Sequence, residues 1–206
     1  MNVDYFYIEK DSGTFSGNEQ IYMRRWQSSS PVFSLWMSYD GNSWNGPYYA
    51  EYSPYTTITL ASGYSRVYFK AEDSGNTKFY DNSSHTLTSI YNICGNLGTL
   101  LTPDGNNIPE DHCFSWFMSG GDRWSGNSNL MSSENLTIPE SIDYLSNMFY
   151  SCYNMTRAPR ILPATNLREE CYSNMFTGCN SLISAPELPA TSLANNCYQY
   201  MFQDCS

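Results

Sequence analysis

Residues Leu162–Cys179 read LPATNLREECYSNMFTGC, and Leu188–Cys205 read LPATSLANNCYQYMFQDC. The offset is 26 residues, and ten of the 18 positions are identical. A repeat of that period is the signature of stacked supersecondary units, because one such unit cannot bury its own apolar face. This pair decides the expected architecture of the C-terminal half.

Within each copy an apolar stripe recurs. Leu167, Cys171, Met175 and Cys179 are four apart, as are Leu193, Cys197, Met201 and Cys205. That spacing predicts one buried face on a helix of about three turns. Thr165 and Thr191 are suitable N-caps, and Glu169 and Glu170 sit favourably for the helix dipole. The segments LTIP (136–139), ILP (161–163) and ELP (187–189) are too short for helices and end at Pro139, Pro163 and Pro189. Proline donates no N–H to a ladder, so each marks the end of a short strand. Stacked units would then pair these strands in parallel, about 4.8 Å apart.

Upstream the series decays. Anchoring on Met-Phe-x-x-Cys gives Met148, Met175 and Met201, spaced 27 and 26. Before them, Cys113-Phe114-Ser115-Trp116-Phe117-Met118 carries the motif with its last two letters exchanged, and an insertion, SGGDRWSGNSN (119–129), follows. Residues 91–206 are therefore expected to form an α/β solenoid like that of leucine-rich repeats. It would have a cap near 90–101 and about four rungs. Phe202 and Cys205 would leave the last rung open, which predicts that further repeats or a partner cover it.

Residues 1–90 read differently. DYFYIE (4–9), QIYMRRW (20–26), VFSLWMS (32–38), TTITL (56–60) and RVYFKA (66–71) are short aromatic and β-branched runs separated by Gly, Ser, Asn and Pro. They predict an antiparallel β-sandwich, with 73–90 a connector or last strand. Ile58 and Leu60 oppose Thr57 and Thr59, and Val67, Phe69 and Ala71 oppose Tyr68 and Lys70. Asp40-Gly41 is a hairpin signal. Its context, Ser38 to Trp44, resembles the Asp-box hairpin of sialidases but is one residue short. Trp44 is expected to pack beneath the turn, or else to contact a sugar.

The form F-x-x-C-x-x-L, followed by a short strand ending in Pro, resembles the BspA-type leucine-rich repeats of bacterial surface proteins. Its carriers are Phe149/Cys152/Met155, Phe176/Cys179/Leu182 and Phe202/Cys205. The M-F-x-x-C-x-S-L form is also similar to repeats of mycoplasma surface lipoproteins. A β-domain ahead of such repeats resembles surface and phage-encoded proteins of gut bacteria. The likeness is good over 130–206 and poor over 99–129. Extra residues before the strands, at Ala158–Arg160 and Ala185–Glu187, depart from the pattern. The resemblance implies a non-enzymatic binding or adhesion module of a bacterial surface or virion. Its partner would be a protein or glycan on a cell surface, or a neighbouring virion subunit.

The cysteines fall into two columns. Cys152, Cys179 and Cys205 form one, and Cys113, Cys171 and Cys197 the other, with Tyr144 in the missing slot. They read as reduced structural thiols that act as small hydrophobes, or as disulfides between rungs, which stacked spacing permits. No C-x-x-C occurs, and His85 and His112 lie in unrelated stretches, so neither a metal nor a cofactor is expected.

Composition narrows the remaining classes. The net charge is −10 with only 15% charged and 16% aromatic residues. An acidic chain repels phosphate backbones and anionic membrane surfaces, which disfavours nucleic acid. No apolar run approaches a membrane span, and MNVDYFYIEKDSG lacks the basic and apolar segments of a secretory signal. The expected location is a cell surface, the extracellular space or a virion. No nucleophile–base pair, Walker motif or dinucleotide-binding glycine pattern appears. Glu134, Glu140, Glu169, Glu170 and Glu187 are scattered carboxylates with nothing to select a catalytic pair. The candidate binding residues are Arg123 and Trp124, in the glycine-rich insertion. Both types are enriched at binding hot spots. The competing reading has Trp124 folded back over an imperfect rung. A structural virion component is the second functional reading, and a carbohydrate-active enzyme the third.

Overall fold

The computed structural model describes residues 3–23, 33–51, 56–72, 90–105, 114–119 and 127–206. Its strands are β1 (Phe6–Lys10), β2 (Gln20–Met23), β3 (Ser34–Ser38), β4 (Asn45–Tyr49), β5 (Thr56–Thr59), β6 (Arg66–Ala71), β7 (Tyr91–Asn96), β8 (Leu130–Ser132) and β9 (Leu136–Thr137). A single 3-10 turn, Leu97–Leu100, follows β7.

The five runs read as strands all form strands, and the Asp40-Gly41 turn joins β3 to β4. The expected sandwich followed by an α/β solenoid is nevertheless overturned. One mixed sheet runs β4-β3-β6-β1-β7-β8, with β9 also on β7, and β2 and β5 form a small second sheet. β7 pairs antiparallel with β1 but parallel with β8 and β9. Gly95 permits this close packing. Its φ is +75°, and a Cβ there would fall 2.0 Å from the Tyr5 carbonyl oxygen.

The core follows from alternation. Phe6 and Ile8 on β1, Leu35 and Met37 on β3, and Val67 and Phe69 on β6 all point inward and are buried. Ile21 and Met23 of the small sheet close over them, with Leu100, Phe117 and Met118 below. Each large apolar side chain so buried contributes roughly 1.5–3 kcal/mol relative to exposure.

Among the described residues there is no α-helix, so the predicted repeat helices and their Thr165 and Thr191 caps do not exist. Residues 168–179 are instead a run of overlapping turns. The N–H of Cys171, Ser173, Met175, Thr177 and Cys179 each bonds the carbonyl three residues back. Every fourth residue is left-handed, with φ +57° at Glu170, +54° at Asn174 and +75° at Gly178. The same holds at Asn196, Tyr200 and Asp204. Two turns of two residues' advance give a period of four, which also produces an i, i+4 stripe. A helix has a period of 3.6 and tolerates no such left-handed residue.

The intervening N–H groups point to the next copy. Glu170, Tyr172, Asn174, Phe176 and Gly178 donate to Asn195, Cys197, Gln199, Met201 and Gln203 at 2.8–3.1 Å. Leu145, Asn147, Phe149 and Ser151 donate likewise to Cys171, Ser173, Met175 and Thr177. The ILP and ELP segments meet only in a single parallel bridge, Ile161 to Glu187, because Pro163 and Pro189 end the pairing.

Candidate functional site

The alternation that buries Phe6 and Phe69 sends their neighbours to the opposite face of the sheet. Tyr7 opposes Tyr68, Glu9 opposes Arg66, and Trp36 opposes Lys70. Tyr5 lies one residue before β1, and Trp44 one before β4. These side chains are half-buried. They form a continuous band of rings and cations across β1, β6 and β3.

The Asp40 turn sets Trp44. Asp40 Oδ1 accepts the N–H of Asn42 at 2.8 Å and of Ser43 at 2.7 Å, and Ser38 Oγ donates to it at 2.8 Å. The backbone bonds from Ser43 and Asn42, then the Ser38 and Ser43 hydroxyls, hold this carboxyl well below its usual range. Trp44 meets Tyr5 edge-on, with centroids 4.8 Å apart and planes at 73°. Lys70 Nζ lies 4.4 Å from the Trp44 centroid and 5.9 Å from that of Tyr5. Among the described residues Lys70 forms no ion pair, so an ammonium group sits over a ring with hydrogen-bonding capacity to spare.

The second half of the band is more tightly held. Tyr7 and Tyr68 are 5.3 Å apart, and the Arg66 guanidinium lies 4.9 Å above Tyr7. Arg66 bonds Tyr68 Oη at 3.3 Å and Glu9 Oε1 at 2.7 Å. Those two bonds hold the guanidinium charged against its partial burial. Burial, then the neighbouring Cys94, pushes the Tyr7 hydroxyl upward, so it stays neutral. The surface therefore offers flat amphipathic rings, an ammonium with no ion pair among the described residues, and the neutral Tyr7 hydroxyl. That chemistry suits the C–H faces and hydroxyl groups of a sugar.

Arg123 and Trp124 lie outside the described residues, as do Cys113, His85 and His112. The described ends of the insertion are anchored. Ser119 and Asn127 are buried, and Asn127 Nδ2 donates to Tyr91 Oη at 2.8 Å and to the Met118 carbonyl at 3.2 Å.

Of the scattered carboxylates, Glu134 pairs with cations along the repeats, as does Asp143 beside them. Glu134 meets Arg157 at 2.7 Å and Arg160 at 3.7 Å, and Asp143 meets Arg168 at 2.9 Å. Glu140 and Asp143 share an open groove of about 490 Å³ with Thr165 and Arg168.

The thiols are structural. Cys152, Cys179 and Cys205 donate to the carbonyls of Met118, Phe149 and Phe176 at 3.1–3.4 Å, each reaching back one copy. All six described cysteines are free thiols. Burial pushes Cys171 and Cys179 up to about 12, so neither is a thiolate nucleophile near neutral pH.

Sequence reasoning missed most of the band. Only Trp44 had been singled out as a possible sugar contact, and its ring partner is Tyr5 across the sheet. The available signal was the outward alternation of Tyr5 and Tyr7 in one strand with Arg66, Tyr68 and Lys70 in another. Among the described residues no cluster of three or more His, Cys, Asp or Glu could hold a metal, and no helix is long and apolar enough to cross a membrane. No family model, no curated protein and no solved structure matches this chain.

Proposed function

We propose that the chain is a non-enzymatic binding or adhesion module of a bacterial surface or virion, and that it recognises a glycan through the outer face of the large sheet. The observation that carries this reading is the Tyr5–Trp44–Lys70 cluster, an ammonium with no ion pair among the described residues, set over two packed rings on a chain of net charge −10. Charge of that sign disfavours nucleic acid, while rigid rings bind sugar with little entropy loss. The repeats' likeness to those of BspA-type surface proteins supports the same setting. Arg123 and Trp124 are candidate contacts at a second position.

Glycan-array binding of the 206-residue chain tests the proposal. Trp44→Ala and Lys70→Ala should each weaken the strongest signal at least tenfold, with unfolding midpoints kept within a few degrees. Tyr153→Ala, on the distant repeats, should leave it unchanged. No glycan signal, or equal signal in all variants, would overturn the assignment.

A structural virion role is the second reading. It is supported by the resemblance of a β-domain ahead of such repeats to phage-encoded proteins of gut bacteria.

A further inference from the structure

The segments that lead into neighbouring copies are held together at two points and part between them. The Ile183 N–H donates to the Thr156 carbonyl at 3.1 Å, and the Glu187 N–H to the Arg160 carbonyl at 2.8 Å. Between those bonds, Ser184–Pro186 make no backbone hydrogen bond to Arg157–Pro159. Each stretch ends in a proline, which has no N–H to give. The parting falls where the extra residues, from Ala158 and Ala185 onward, interrupt the repeat pattern.

The result is a groove of about 200 Å³ to which three successive segments contribute. Glu134 comes from the first, Arg157 and Arg160 from the second, and Ser184 from the third. Ala158 and Pro159, both buried, line it with apolar surface.

Charge here runs against that of the chain. Two guanidiniums set against one carboxylate leave a positive charge in excess, on a chain of net charge −10. Glu187, the next carboxylate along, makes no ion pair with either arginine. Arg157 Nη1 donates to Glu134 Oε2 at 2.7 Å. Arg160 Nη2 stands 3.7 Å from Glu134 Oε1, attracted but beyond hydrogen-bond reach. Among the described residues the Arg160 side chain donates no hydrogen bond, and it is 72% exposed. A guanidinium carries a planar fork of N–H donors that matches the two oxygens of a carboxylate.

We infer that this groove binds the carboxylate of one acidic sugar residue, with the Arg160 fork on its oxygens and the sugar ring against Ala158 and Pro159. The groove is smaller than the pocket of a drug-sized molecule, so it takes a single ring with its charged substituent. The choice of a sugar rests on the glycan reading above. The residues are separate from Tyr5, Trp44 and Lys70.

The test is an NMR titration of the isotope-labelled full chain with galacturonic acid, following the Ser184 and Ala185 amides beside the Trp44 indole N–H. Both amides should shift saturably. The methyl ester of the same acid should bind at least tenfold more weakly, and Arg160→Gln should abolish the shifts while the rest of the spectrum stays in place. No shift, equal affinity for acid and ester, or unchanged shifts in Arg160→Gln would overturn the inference. So would tighter binding of inorganic phosphate, which would mean a general oxyanion site, or of N-acetyl dialanine, which would mean a site for a peptide C-terminus. The Trp44 resonance reports the sheet face on its own, so failure in the groove is distinguishable from failure of the glycan reading there.

Discussion

Phe149 and Phe176 stack with ring centroids 5.5 Å apart and planes 7° apart, although 27 residues separate them. Phe202 continues the column at 5.5 Å and 4°. The ladder places identical side chains above one another while the backbone beneath forms turns. Phe149 and Phe176 are fully buried, whereas Phe202 covers the open end.

The position in the column should set the cost of truncation. Phe176→Ala removes a ring with neighbours on both sides and should cost about 3–5 kcal/mol. Phe202→Ala loses one neighbour and should cost about 1–2 kcal/mol. Urea unfolding of both variants measures the ratio. Equal losses would contradict the stacked arrangement.

Asn174 separates turns from helix by the sign of one comparison. In a helix, Ala is better than Gly by about 1 kcal/mol. At φ +54°, Gly is better than Ala by about 1 kcal/mol. Both changes remove the Asn174 bond to Ser173 Oγ equally, so the difference isolates the backbone. Asn174→Gly should melt above Asn174→Ala, and the reverse order would restore the helix.

Much of this molecule was legible in its sequence. The five strand runs and the Asp40-Gly41 turn followed from alternation and from one dipeptide. The stacking of copies followed from the 26-residue offset. What misled was the interval of four from Leu167 to Cys179, which helix and tandem turns share. The distinguishing signal was Asn174 and Gly178, also four apart, since both tolerate left-handed backbone. The single mixed sheet was not legible, because β8 and β9 are only three and two residues long and pair in parallel with a strand far upstream. The binding face was half legible. Alternation placed Tyr68 and Lys70 outward, but only the strand order β3-β6-β1 brings Lys70 between Trp44 and Tyr5.

Glu19 should govern acid stability. It is 5% exposed and is bonded by Lys10 Nζ at 3.0 Å and by the Ser16 N–H and hydroxyl at 2.7 and 2.8 Å. Burial raises its carboxyl, but the Lys10 and Ser16 bonds outweigh this and lower it to about 2. A carboxylate lowered by folding stabilises fully above its unfolded value and loses that contribution as pH falls through the folded one. Stability should therefore drop between about pH 5 and pH 2, by about 3 kcal/mol from this group. Glu19→Gln should be less stable at pH 7 and show a flatter decline over that window. An unchanged acid profile in the variant would remove Glu19 from the account.

The aromatic and cationic outer face of the sheet is the proposed meeting place of this chain and its ligand. The most direct measurement is equilibrium titration of the intact chain with the best glycan from an array, followed by tryptophan fluorescence and repeated with Trp44→Ala, Lys70→Ala and Trp124→Ala. Binding should be saturable and weaken at least tenfold in the first two variants while all three keep their fold. Binding lost only in Trp124→Ala, with Trp44→Ala and Lys70→Ala unaffected, would contradict it.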